Sequence, residues 1–355
     1  MVARAMPRVA CTAMHPLTRR LAAAINRTDA VNGVPFAPTV EMTPRRTERR
    51  ASWVHYGVMA PGLPEPHRWF GVMAILGTTG ARCFDNDAWI RTTPRDTAYV
   101  VSGTATTGRD AFRTYSMGEE CELREDGSLL RFGADDLVLE GSSPCVRVRR
   151  GGVTPAELEL EITDKVAYFS RIPGVYDHWS LLATYRGTVG DDRVEGLCTY
   201  EYARGAGPYS VVSRRIPGWA KAPIRSFTYQ VLNLDDERQL LLTVAGPRRG
   251  LHVHEGAWER GLRDHGAMHR DVTFAVTAER SAPLRTPDGR RMRMPATWAW
   301  TVRDVGGAEL GALDCVAQDD WTYGLGAGFV GSFTVRGAFR GRPVDTVGYV
   351  EYIDV

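Results

Sequence analysis

Two stretches decide the fold: ATYRGTVGDDRVEGLCTYEY at residues 183–202 and FTVRGAFRGRPVDTVGYVEY at residues 333–352. Arg186-Gly187 recurs as Arg336-Gly337, Val194-Glu195 as Val344-Asp345, and Glu201-Tyr202 as Glu351-Tyr352, all at an offset of 150. A second match lies upstream, with Gly77 and Ala88–Arg91 against Gly246 and Ala257–Arg260 at an offset of 169. Segments duplicated in the same order without gaps argue for two copies of one β-rich unit. The fall in offset assigns 19 extra residues to the first copy.

The rest of the chain has the texture this requires. Alternation of apolar and polar residues marks strands at 53–59, 69–76 and 97–104, and a hairpin at 122–132 turning on Asp126-Gly127. Residues 157–162 form a strict period-2 strand with an acidic outer face. The second half repeats the style at 227–232, 239–244, 272–276, 298–302 and 333–339. Many short antiparallel strands with evenly spaced turns predict an all-β chain of two tandem barrels. We divide it into an N-terminal piece (1–49) and barrels at 50–205 and 206–355. The N-terminal piece reads as a short helix after Pro16, then a basic arm with Pro35, Pro38 and Pro44.

Composition narrows the function. A chain of 355 residues suits two domains, and a net charge of +2 points to no nucleic-acid partner. No apolar run reaches membrane-spanning length. The six cysteines lie far apart without a Cys-x-x-Cys, as expected of free thiols in the cytoplasm. Oligomeric state is not readable.

The tandem layout, each unit closing on a Tyr-Glu-bearing strand pair, resembles the hydroxyneurosporene synthase (carotenoid 1,2-hydratase) family over residues 50–355. That family has two lipocalin-like barrels, and fungal decalin-forming Diels–Alderases are similar in fold. The resemblance implies a pocket for a large apolar polyene, terpenoid or polyketide, and cofactor-free acid–base or pericyclic chemistry by a lyase, isomerase or cyclase. A lipocalin-like carrier without chemistry is the alternative.

In such a pocket an inward carboxyl has a raised pKa and can protonate an alkene. The candidate proton-transfer residues are Asp85, Asp87, His55, His254, Glu255 and Glu351. Substrate contacts are expected from Trp53, Trp69, Phe70, Trp89, Tyr229, Trp258 and Trp298. A cross-strand ion pair competes for the repeated glutamates: a hairpin turning near Asp191-Asp192 brings Arg186 close to opposite Glu201 and, in the second copy, Arg336 close to opposite Glu351. The run Tyr176-Asp177-His178-Trp179 reads as a polar-aromatic corner between barrels. His252, His254 and Glu259 fit the spacing of a first cupin motif, the basis of a metal-dependent alternative. The second cupin motif is missing, and the upstream repeat puts Cys83 and Asp85 where His252 and His254 stand. The expectation is therefore no stoichiometric metal and no cofactor.

Overall fold

The computed structural model describes residues 26, 28–37, 40–44 and 51–355. The helix expected after Pro16 lies outside them. Two large antiparallel sheets, each curled into a nearly closed barrel, hold most of the described residues.

The first sheet holds β1 (Trp53–Pro61), β2 (Trp69–Leu76), β3 (Thr97–Thr104), β4 (Phe112–Ser116), β5 (Cys121–Leu123), β6 (Leu129–Phe132), β7 (Leu137–Ser142), β8 (Cys145–Arg150), β9 (Ala156–Ile172), β10 (Tyr176–Val189) and β11 (Asp192–Gly205). Its order is β4-β3-β2-β1-β11-β10-β9-β8-β7-β6-β5. Then follow β12 (Ser226–Asn233), β13 (Arg238–Gly246), β14 (His254–Gly261), β15 (Ala267–His269), β16 (Asp271–Glu279), the small pair β17 (Leu284–Arg285) and β18 (Arg291–Met292), β19 (Pro295–Arg303), β20 (Glu309–Ala317), β21 (Thr322–Leu325), β22 (Gly328–Phe339) and β23 (Arg342–Asp354). In both sheets the last strand returns to pair with the first: β11 with β1, β23 with β12.

The repeat at offset 150 is the β10–β11 hairpin and its counterpart β22–β23. Its glycines have a physical reason. Gly187 and Gly337 hold φ near +157° and +156°, and a Cβ on either would lie 2.0 Å from a carbonyl oxygen of the adjoining strand, that of Glu157 or Ala312. Only glycine permits that approach.

The upstream repeat is not structural. Ala257–Arg260 lies within β14, whereas Ala88–Arg91 spans a 3₁₀ turn (Asp87–Trp89) and the chain after it. The strand that pairs with β2, as β14 pairs with β13, is β3. The alignment of Cys83 and Asp85 with His252 and His254 falls with it. The hairpin register also differs from the expectation. Val189 pairs with Asp192, so Arg186 faces Glu195 and bonds to Glu159, while Glu201 faces Ser180. Arg336 pairs with Asp345. Neither repeated glutamate belongs to an arginine pair.

Packing between the barrels follows from alternation. Along β1, Val54, Tyr56, Val58 and Ala60 enter the core of the first barrel, and along β2 so do Phe70, Val72, Ala74 and Leu76. The opposite face of these strands carries Met59, Trp69, Met73 and Ile75, which join the core of the second barrel. Both faces of β1 and β2 are therefore buried, and one of them looks across at the neighbouring barrel. The described part of the arm is pinned to the first barrel. Asn32 exchanges hydrogen bonds with both backbone groups of Tyr168. Tyr56 and Tyr202 donate their hydroxyls to the carbonyls of Met42 and Thr43.

Candidate active site between the barrels

A cavity of about 490 Å³ lies at this inter-barrel face, with walls from β1, β2 and β9–β14, and with Glu351 of β23. Trp53, Phe169, Tyr176, Phe227 and Tyr229 supply most of its aromatic lining. That size and lining suit a small organic ligand.

One row of cross-strand neighbours builds its polar end. On β11, Ala203 pairs with His55 of β1 on one side and His178 of β10 on the other. All three point to one face, and the small Ala203 leaves room between the imidazoles, whose rings stand 5.8 Å apart. Glu201, two residues along β11, shares that face. Its Oε2 lies 3.8 Å from Nε2 of both His55 and His178. Those separations exceed a hydrogen bond, so the three atoms converge without touching. Tyr229 donates its hydroxyl to the other oxygen of Glu201 at 2.5 Å, and the Tyr176 hydroxyl meets Nδ1 of His178 at 2.9 Å. Among the described residues, His55, His178 and Glu201 form the one group placed to hold a metal ion.

Glu351 is the counterpart of Glu201 in the second copy, and both are 1% exposed. Their partners differ. Phe227 pairs with Ile353 where His55 pairs with Ala203, and residue 328, offset by 150 from His178, is glycine. Glu351 keeps one close polar neighbour, the Tyr349 hydroxyl at 3.2 Å. Burial, and then the charge of Glu201, push its carboxyl well above the usual range. Burial pushes Glu201 up too, but the two imidazoles beside it, His178 and His55, outweigh burial and leave it well below that range. The two carboxyls are thus pushed in opposite directions: burial favours the protonated form of Glu351, and the imidazoles favour the ionised form of Glu201. Burial lowers His178, and lowers His254 to about 4. Behind Glu201, the buried guanidinium of Arg260 donates to the carbonyl and hydroxyl of Ser180 and to Gln239. It brings a positive charge from the second barrel to the strand beside Glu201.

Of the residues expected from sequence, His55, His254, Glu255, Glu351, Trp53 and Tyr229 line this cavity. Asp85 and Asp87 do not. Lys221 holds them at 2.7 and 2.6 Å, and Arg215 adds a second cation on Asp87, in a separate surface cleft. Phe70 fills the first barrel. Trp69 bonds Asp320, and Trp298 bonds Gln230. Trp89 meets Phe112 edge to face, and Trp258 lies behind the wall against Phe169. The cupin spacing does not make a site. Glu259, five residues from His254, lies on the other face of β14 and pairs with Arg340 and His269. Sequence reasoning missed His178 and misread Glu201. The signal was the shared face of residues 178 and 203 in a correctly registered hairpin.

The model of a family of unknown function, DUF6670, matches residues 73–355. No curated protein matches the sequence. Among solved structures, kievitone hydratase from Nectria haematococca aligns at a TM-score of 0.54 and 12% identity, over 93% of this chain and 95% of that one. A candidate AttH from Nitrosomonas europaea aligns at 0.54 and 11%, over 90% and 98%. CghA bound to Sch210972 aligns at 0.39 and 7%, over 92% and 96%, too distant to carry an argument. The first two likenesses show the tandem lipocalin-like fold and no more.

Proposed function

The chain belongs to the family of unknown function DUF6670, and we propose that its inter-barrel cavity is the active site of a hydratase- or cyclase-type enzyme acting on an apolar polyene, terpenoid or polyketide of a size that the cavity admits. The observation that carries this reading is the buried pair Glu351 and Glu201 in an aromatic cavity, the first pushed up by burial and the second drawn down by two imidazoles. Glu351 gives its proton to an alkene carbon or a carbonyl oxygen. The positive charge that develops on the substrate is stabilised by the Glu201 carboxylate and by aromatic faces. Water, or a nucleophile within the substrate, then adds to the cation and loses its proton to His55 or His178. Apolar contact supplies affinity, and the fixed position of the reacting carbons supplies rate.

The working unit comprises both barrels, 50–205 and 206–355, because each contributes one carboxyl. The described cysteines are free thiols, which supports the cytoplasm as the compartment. Among the described residues no helix is long and apolar enough to cross a membrane.

The test is turnover of a panel of prenylated, polyene and polyketide substrates by wild type and by Glu351→Gln. Product formation that falls at least a hundredfold in the folded variant supports the reading. Tight binding with no product from any substrate overturns it and makes the protein a carrier.

A further inference from the structure

We propose that His55, His178 and Glu201 form a binding site for a divalent transition metal, with an open coordination position facing the cavity. The site shares the cavity of the proposed function together with Glu201, His55 and His178, but not its acid, Glu351; the charge-stabilising and proton-accepting roles of those three groups are those of the ion-free protein. It departs from the expectation of no stoichiometric metal, which rests on His252 and His254, residues this site does not use.

Three observations carry the proposal. The first is convergence. Nε2 of His55, Nε2 of His178 and a carboxylate oxygen of Glu201 all lie within 4.8 Å of one another. The two nitrogens stand 3.8 Å from Oε2 without sharing a hydrogen. An ion about 2.1 Å from each of two atoms 3.8 Å apart sees them at roughly 130°. A small inward rotation of the carboxylate brings that angle to the tetrahedral range.

The second is rigidity. The ligands come from three adjacent strands of one sheet, in register about Ala203, rather than from loops. The third is the outer layer. Tyr229 occupies Oε1 of Glu201 and leaves Oε2 as the ligand atom. The Tyr176 hydroxyl on Nδ1 of His178 directs Nε2 of that ring to the centre. Such outer partners fix the orientation of metal ligands. Two imidazoles and a carboxylate suit zinc, iron(II), cobalt(II) or manganese(II), and three protein ligands leave room for an exogenous oxygen.

The experiment uses the full chain, stripped with a chelator and titrated with Zn²⁺ by calorimetry. Co²⁺ is titrated in parallel, and its visible absorption reports coordination geometry. One equivalent is expected to bind wild type. Glu201→Gln and His178→Ala are expected to weaken binding more than about a hundredfold, and Tyr176→Phe about tenfold. His252→Ala is expected to bind as wild type does. Circular dichroism confirms folding, and Tyr176→Phe keeps the test informative if a ligand variant fails to fold. Absence of stoichiometric binding, or equal affinity in wild type, Glu201→Gln and Tyr176→Phe, overturns the proposal. No substrate enters this titration, so its failure is separate from failure of the Glu351 test.

Discussion

Replacing Glu351 by Gln should change how stability depends on pH, in a direction the structure fixes. Glu351 is 1% exposed, and its carboxyl lies well above the ordinary 4.5 because of burial and the nearby charge of Glu201. The folded protein therefore keeps a proton that the unfolded chain releases once pH passes 4.5. A group with a raised folded pKa contributes stability that is fully present below the unfolded pKa. That contribution declines as pH rises towards the folded pKa. The slope is about 1.4 kcal/mol per pH unit for one proton. The Glu351→Gln side chain has no proton to lose, and its amide can still accept the Tyr349 hydroxyl. Between about pH 5 and 6, wild type should lose stability relative to the variant, by up to about 1.2 kcal/mol. Urea unfolding of both proteins at the two pH values measures this, and other titrating groups cancel in the difference. Stability differences that stay constant across that interval would refute the assignment of a proton to Glu351.

Four further outcomes follow from the same geometry. Glu201 has a lowered folded pKa, so its contribution is present above 4.5 and lost as pH falls below it; acid titration of Glu201→Gln should lack that loss. Ala203→Leu fills the gap between the imidazoles and should cost about 1–3 kcal/mol by overpacking while abolishing ligand binding, read by denaturation and ligand fluorescence. Lys221→Met leaves Asp85 and Asp87 without their shared cation; it should destabilise by about 3–5 kcal/mol, with the turnover of the remaining folded protein unchanged. Gln230→Leu strips the acceptor shared by the indoles of Trp298 and Trp300; it should cost about 1–3 kcal/mol, measured by thermal unfolding.

The strands were legible because their period of two survives burial on one or both sides. Residues 69–76 and 97–104 match β2 and β3 to the residue. The offset of 150 was legible because a close approach of strands demands glycine at 187 and 337. The offset of 169 misled because similar short motifs fell on a turn in one copy and a strand in the other.

Half of the site was readable for the same reason. His55 and Trp53 sit on an alternating strand whose outer face needed a partner. Glu201 was paired with an arginine through a misplaced register: the hairpin turns at Gly190-Asp191, so Arg186 meets Glu195 and Glu201 lies six residues further along β11, opposite Ser180. His178 was hidden in a polar-aromatic run whose face depends on the same register. Asp85 and Asp87 looked available because Lys221, one of only two lysines, lies more than a hundred residues away in sequence. Only the fold brings it to them.

The central claim is that one glutamate of the duplicated pair is protonated and the other ionised inside a shared cavity. Infrared spectroscopy of the carboxyl region at neutral pH tests it most directly. Wild type should show a protonated carboxylic acid band that disappears in Glu351→Gln and persists in Glu201→Gln. A wild-type spectrum without that band, or a band that vanishes with Glu201 instead, would contradict the account.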